Sequence, residues 1–408
     1  MFGKDLVAGL TTGVVLVAQA VAYASLAGLP PAAGLYGALV APLIYGAIGR
    51  SDVLSAGPTA ISSLLVGAAL AGEGDGALAH AALLAAMVGT VQIIALIVRL
   101  DRLADFVTPN VLRGFLAGAA LRIVWSQAPT LVGWSGEWGE GVDTATAMVG
   151  GTALLCLLIP LPKKLQPFGA LRTVAVMALF TLASFLLGWT VAQVGALPEG
   201  LPVPGLPEGL EWASVGRMAA PALVIGLLSF IEGIGAAGAR PQELEPRREL
   251  AGLGLANWGS AIVGGYPVSG GLSRTAVNAR AGATSRWANV FASAVVALVL
   301  LAGGAVLGPL PESVLAAVVT AGVLSLIDHE RIRKSTRRER WVLAATFLPT
   351  LLLGVGPGVA TGAVVAALTR RYGEWPGYMA QSSPRSSDSS GPSDSSDSSE
   401  SDEPPPNV

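Results

Sequence analysis

Apolar residues run through this chain in long blocks, interrupted by glycine, proline or short charged stretches. Blocks of about 20 residues without charge match the hydrocarbon thickness of a bilayer when wound as helices. The pattern predicts segments at 5–26, 33–49, 57–70, 77–98, 111–131, 143–160, 171–190, 213–237, 249–263, 271–281, 286–303, 311–327, 340–354 and 356–370. The third and tenth are the shortest. Each follows a break rich in glycine or proline, LSAGPTAIS at 54–62 and GGYPVSGGLSRTAVNARAGAT at 264–284. At both places the backbone is expected to stop, run extended, and restart as a half-helix inside the membrane. The fold class is therefore an all-α polytopic membrane protein with short β-like breaks ahead of segments three and ten.

Composition supports this. Apolar residues make up 52% of the chain and charged residues 13%, with a mean hydropathy of +0.62. A soluble domain needs far more surface charge. One cysteine, Cys156, excludes an internal disulfide and a four-cysteine zinc site, and its apolar run marks it as core filler. The two histidines fall near segment ends, so a metal centre is not expected. The first apolar run leads straight into further spans rather than to a cleavage site. No basic domain suited to nucleic acid is present. No nucleophile–base pair, metal-ligand cluster or nucleotide loop stands out, so an enzyme is not expected and neither is a cofactor.

The charges orient the segments. With the N-terminus inside, the inner loops hold Arg50, Arg99, Arg102, Lys163, Lys164, Arg172, Arg240, Arg247, Arg248, Arg286 and the basic block 331–340. The outer stretch 191–212 holds three glutamates and no base. This is the positive-inside pattern, and it puts both termini in the cytoplasm of a cell inner membrane. From 381 onward the chain becomes acidic, serine-rich and of low complexity, which predicts a disordered tail.

Divided near residue 200, each half has seven segments, and the third of each half is short. The local sequences correspond: Gly57-Pro58-Thr59-Ala60-Ile61 against Ser273-Arg274-Thr275-Ala276-Val277. Seven is odd, so matching halves lie in the membrane with opposite orientation, the inverted-repeat design of secondary transporters. The predicted division is 1–200, 201–372, and a tail at 373–408.

Candidate chemistry follows from the two restarts. A helix N-terminus carries unpaired N–H groups and partial positive charge. Two such ends facing one another form an anion cradle. Pro58, with no N–H, suits a first helical turn, and Pro267 with Gly270-Gly271 allows an extended approach to the second. Arg274 adds a full charge, which in a membrane implies a carboxylate or an anionic ligand. Glu232, alone in its segment, can pair with Arg274, carry a coupling proton or help hold a cation. Ala236, one turn on, offers a sodium ion nothing, which favours protons. Gln19 and Tyr23 share a helix face and give segment one a polar stripe, which helix–helix hydrogen bonding also explains. Asn257 and Asn278 are placed to satisfy backbone carbonyls, and Arg113 and Arg122 to snorkel.

Four stretches resemble the sulfate permease (SulP) family: QAVAYASLAGLPPAAGLYGALVAPLIYGAIG (19–49), LSAGPTA (54–60), DFVTPNVLRGFLAGAAL (105–121) and 248–284. The resemblance covers about 1–371. It implies fourteen spans in 7+7 inverted repeats. Segments one to four and eight to eleven would form a core, and five to seven and twelve to fourteen a gate. It further implies an elevator movement and a homodimer. Carried over by position, Gln19, Tyr23, Thr59, Ala60, Ser273 and Arg274 would contact the anion, and Glu232 would couple transport to an ion. Members of the family usually carry a STAS domain after the last span, where this sequence has its acidic tail. Arg247 also stands where asparagine is common.

The resulting expectation is a secondary transporter of inorganic anions, sulfate first, with H+ or Na+ co-transported. Its partners are a small anion and the bilayer. Bicarbonate and fumarate-like dicarboxylates remain open within the same fold. A nucleobase–proton symporter would show more carboxylates in the central helices. A membrane scaffold or sensor would show a folded output domain.

Overall fold

A computed structural model describes residues 2–99, 109–134, 141–160, 169–195, 200–205, 212–237, 245–302, 308–325, 327 and 329–353, with 357–358, 361–362 and 364–365. Its helices are α1 (Phe2–Leu26), α2 (Pro31–Ile48), α3 (Ala60–Ala69), α4 (Ala77–Ile97), α5 (Pro109–Val132), α6 (Thr144–Leu158) and α7 (Gly169–Leu187). They continue as α8 (Trp212–Ala237), α9 (Pro246–Ile262), α10 (Leu272–Arg280), α11 (Trp287–Ala302), α12 (Glu312–Leu324), α13 (His329–Lys334) and α14 (Arg337–Leu353). Helices α1 to α12 occupy the first twelve predicted segments and α14 the thirteenth. The fourteenth predicted segment lies mostly outside the described residues, and the tail at 373–408 wholly so. The basic helix α13 was not predicted: its six residues carry four charges and bury none.

Among the described residues, six helical stretches are long and apolar enough to cross a membrane, those of α1, α2, α4, α5 and α8 and the stretch Glu312–Lys334. Helices α3 and α10 are not. At 1.5 Å per residue each is about 15 Å long, half the hydrocarbon thickness. Two-residue strands precede them, β1 (Ala56–Gly57) and β2 (Ser269–Gly270), which pair antiparallel with Ala56 opposite Gly270 and Gly57 opposite Ser269.

The helices pack in two sets. In the first, α1 lies on α11, α2 and α10, α2 on α9 and α11, and α4 on α9 and α8. In the second, α5 lies on α14, α12 and α6, α12 on α6, and α7 on α6 and α12. Helix α1 also touches α7 and α12, so it lines the boundary between the sets. Small residues set the spacing, because lipid supplies no hydrophobic drive and close packing must hold the helices together. A Cβ on Gly9 or Gly13 would meet α11 at 2.5–2.8 Å. A Cβ on Gly114 or Gly118 would meet α14 at 2.5–2.9 Å, and these two glycines form a GxxxG pair.

One expectation is corrected here: Cys156 is exposed on α6 rather than core filler. Half-buried Arg122 donates from Nη1 to the Leu351 carbonyl of α14, 3.0 Å away, next to the packing seam. Outside the spans, Asp143 caps α6. Hydrogen bonds from the Thr146 hydroxyl and backbone hold its carboxyl below the usual carboxylate range.

The start of α1 is tied to the start of α11. Buried Asp5 accepts from the N–H groups of Thr284 (2.6 Å) and Ser285 (3.0 Å), and from both their hydroxyls. Asp5→Ala strands these donors and should lower stability by about 1–3 kcal/mol. The check is the melting temperature of the purified protein in detergent. An unchanged melt would show that Asp5 does not fasten the two helices.

Candidate functional site

The site forms where the two breaks cross. Extended backbone deep in a bilayer leaves N–H and C=O groups that water cannot reach, and each must find a protein partner. The strands pair with one another, and side chains satisfy the remainder. Asn257 receives the Val268 N–H on its Oδ1 (2.8 Å) and donates from Nδ2 to the Val268 carbonyl (3.0 Å). Thr275 Oγ1 accepts from the Ser55 N–H, and the Ser55 carbonyl accepts from the Gly271 N–H. Asn278 donates to the Val53 carbonyl and Asn289 to that of Leu54. All three asparagines are buried to within 1%. The expected roles of Asn257 and Asn278 are therefore the ones found.

Arg274 sits in the first turn of α10 with 1% of its surface exposed. Its Nη1 donates to Gln19 Oε1 (2.8 Å) and to the Pro58 carbonyl (2.7 Å), joining α1, the first break and α10. The guanidinium lies between Gly57 and Gly271: a Cβ on the first would stand 3.3 Å from Nη2, and on the second 2.7 Å. Its Nε and Nη2 are buried with no hydrogen-bond partner. Gln19 in turn donates from Nε2 to Ser273 Oγ (3.3 Å). Pro58 does not enter the first turn of α3 as expected. It precedes the N-cap, Thr59, and offers Arg274 its carbonyl.

Glu232 is buried in α8. Its Oε2 accepts from Thr59 Oγ1 (2.9 Å), and the same hydroxyl caps α3 by accepting from the Ser62 N–H (3.4 Å). Ser62 and Ser229 share a hydroxyl contact of 3.1 Å, and Ser269 Oγ donates to the Ser229 carbonyl. Among the described residues no ion pair joins Glu232 to Arg274, although the sequence left that pairing open. The hydroxyls that Ala236 could not supply arrive from α3, β2 and the preceding turn of α8.

Tyr23 lies one turn beyond Gln19, buried, with its hydroxyl toward Gly322 of α12, where an added Cβ would stand 3.8 Å away. Ala60, first residue of α3, is buried as well. A cavity of about 440 Å³ opens at the boundary of the helix sets. Gln19, Ser273, Ala276 and Arg280 line it from α1 and α10, Arg172 and Thr173 from α7, and Gly322 and Ser325 from α12 and its cap. Of the expected contact residues, Gln19 and Ser273 reach this cavity. Arg274 lies behind them, and Tyr23, Thr59 and Ala60 are not among the lining residues. The sequence did not single out Arg172, Arg280, Gly322 or Ser325. Helical spacing held a clue for one: Arg280 falls seven residues after Ser273, on the same face of α10.

The arrangement can hold an anion. Neutral donors face a cavity, a guanidinium with two unpartnered nitrogens stands behind them, and two further arginines line the same space.

Comparison with known proteins gives the family and the fold. The family model described as the sulfate permease family matches residues 2–346. The chain is 32% identical over 388 residues to the probable sulfate transporter MT1781 of Mycobacterium tuberculosis, covering 89% of this chain and 69% of that protein. It is 31% identical over 399 residues to the chloroplastic sulfate transporter 4.1 of Arabidopsis thaliana, covering 88% of this chain and 57% of that protein. The chain thus spans between about half and two thirds of these relatives. Among solved structures, one described as the overall structure of SLC26A9 matches with a TM-score of 0.80 at 21% identity, covering 91% of this chain and 65% of that one. The transmembrane domain of a cyanobacterium bicarbonate transporter, BicA, matches with a TM-score of 0.77 at 23% identity, covering 88% and 97%. At these identities the structures show a shared fold.

The crossing itself is testable. Gly57 has φ 150°, and an added Cβ would meet Leu16 Cδ1 at 2.9 Å. Gly57→Ala should therefore cost about 1–3 kcal/mol of stability. Gly271→Ala pushes on the Arg274 guanidinium and should cost a similar amount. Thermal melts in detergent read both, and wild-type melting for both variants would mean that the two breaks are not closely apposed.

Proposed function

This chain belongs to the sulfate permease family, and from that premise we propose that it is a secondary transporter of small anions, with sulfate the first candidate. The observation that carries the proposal is the state of Arg274: fully buried, in no ion pair with a carboxylate among the described residues, and with two nitrogens unpartnered behind Gln19 and Ser273, which line the cavity. A buried guanidinium left so is costly unless an anion completes it. Gln19 and Ser273 would offer the anion its direct hydrogen bonds, while Arg274 and the start of α10 supply positive potential from behind. Tyr23, Thr59 and Ala60 would close around the anion as the two helix sets move.

The movement is an elevator. The set containing α1 to α4 and α8 to α11 carries the site, and the set containing α5 to α7, α12 and α14 stays as the gate. The cavity runs from Val15 and Gln19, past the midpoint of α1, to Arg172, Arg280 and Ser325 at the ends of α7, α10 and α12 that the positive-inside pattern turns to the cytoplasm, which supports reading this conformation as inward-open. The 7+7 inverted repeat explains why two half-helices meet at mid-membrane with their strands antiparallel. A homodimer in a cell inner membrane, with both termini inside, is the assembly we expect. Glu232, held by the Thr59 hydroxyl at the start of α3, would couple the anion site to H+ or Na+. Bicarbonate is a second candidate, because a bicarbonate transporter's membrane domain shares this fold.

Reconstitution in liposomes tests these points. Uptake of labelled sulfate, bicarbonate and fumarate should rank the substrates, with and without imposed H+ and Na+ gradients. Arg274→Ala should cut uptake at least about tenfold, the effect of losing one buried charged hydrogen-bond partner, in protein that still elutes as a single species. Uptake at the wild-type rate would remove Arg274 from the site. Glu232→Gln keeps an acceptor for Thr59 and should abolish the response to the cation gradient. A response that persists unchanged would give Glu232 a structural role.

A further inference from the structure

We propose that Arg172 and Arg280 form a second anion site in the same cavity, where the anion is held before it reaches Gln19 and Ser273. This rests on the anion-transport reading and adds a site to it. Arg172 stands near the start of α7 and Arg280 at the end of α10, so the two approach the cavity from opposite helix sets. Among the described residues the cavity is lined by no carboxylate, and neither arginine makes an ion pair.

The placement of Arg172 is not what helix chemistry favours. A cation near a helix N-terminus sits at the positive end of the dipole. Part of the offset is visible: its Nη1 donates to the carbonyl of Ile159, the C-cap of α6, at 2.7 Å. Its Nε is nevertheless buried without a partner. Arg280 is better placed for its own helix, at the negative C-terminal end, where its Nε donates to the Ala276 carbonyl (3.2 Å). Two guanidinium groups lining one cavity with no acid between them repel each other. An anion between them removes that repulsion and completes the donors that protein leaves open.

The same geometry gives the site a role. Ser273 and Arg280 lie on one face of α10, and Gln19 and Ser273 are already hydrogen-bonded, so the route from the arginines to the deeper donors runs along a single helix face. Walls of low dielectric focus the field of the two arginines and raise the local anion concentration. Because α7 and α10 belong to different sets, relative movement of the sets would part the two arginines. The waiting anion is then released as the deeper site turns away.

The test uses the full chain reconstituted in liposomes, with inorganic sulfate as the probe. Arg280→Gln, which breaks only a bond within its own helix, should raise KM for sulfate about tenfold and leave kcat much less affected. Arg172→Gln should do the same, and Arg172→Lys should recover most of the loss because it keeps the charge. Should Arg172→Gln fail to fold, Arg280→Gln alone decides the matter. Wild-type KM in Arg280→Gln, with Arg274→Ala still impaired, would overturn the second site and leave the first intact. No sulfate flux or binding by the wild type, in liposomes where the protein is folded, would sink both. The vesicles are made once from neutral phosphatidylcholine and once with anionic phosphatidylglycerol. A KM effect present in both supports a free anion. An effect seen only with the anionic lipid assigns the arginines to lipid headgroups and overturns the proposal.

Discussion

Two stretches of extended backbone cross at a depth where water cannot solvate them, and the architecture follows from meeting that demand. An unsatisfied amide or carbonyl there costs several kcal/mol. Four residues of strand satisfy only part of it. Asn257, Asn278, Asn289 and Thr275 satisfy more, each reaching from a helix to a backbone group of the breaks. These side chains come from α9, α10 and α11, so the crossing organises the first helix set around itself. Gly57 and Gly271 complete it by letting the strands approach the guanidinium of Arg274 more closely than a Cβ would allow.

Arg274 and Glu232 are kept apart. Arg274 is bound to an amide and a peptide carbonyl, and Glu232 to a hydroxyl. Direct contact between the two would neutralise both and leave little potential for a ligand. Thr59 and Gln19 act as neutral spacers: each engages one charge and also a half-helix, Thr59 as the cap of α3 and Gln19 through Ser273 of α10. The two charges thereby share one framework without cancelling each other. The boundary with the second set supplies the cavity, with α12 contributing small residues such as Gly322 opposite Tyr23.

Much of this was readable from residue order. Apolar runs located twelve consecutive helices and α14, because a bilayer imposes one length scale on every span. Glycine and proline located the two breaks, because few other residues permit an extended turn ahead of a helix. Arg274 and Glu232 stood out because charge is rare in such segments. Short basic α13 escaped notice because nothing in its composition separates it from a loop. Cys156 was misplaced because an apolar run in a membrane protein faces lipid as readily as core.

Local chemistry decided that the chain would have spans, breaks and the charges Glu232 and Arg274 within them, since each depends on how a short stretch partitions between water, lipid and helix. Which groups meet depended on distant parts of the chain. Gln19 finds Arg274 across 255 positions, and Thr59 finds Glu232 across 173. Residue order left Glu232 and Arg274 free to pair, and packing kept them apart. It assigned Arg172 to an inner loop, and packing brought it to a cavity beside α10. Contacts of this kind are set by how helices of similar composition stack on one another, and many stackings satisfy the same hydrophobic pattern equally well.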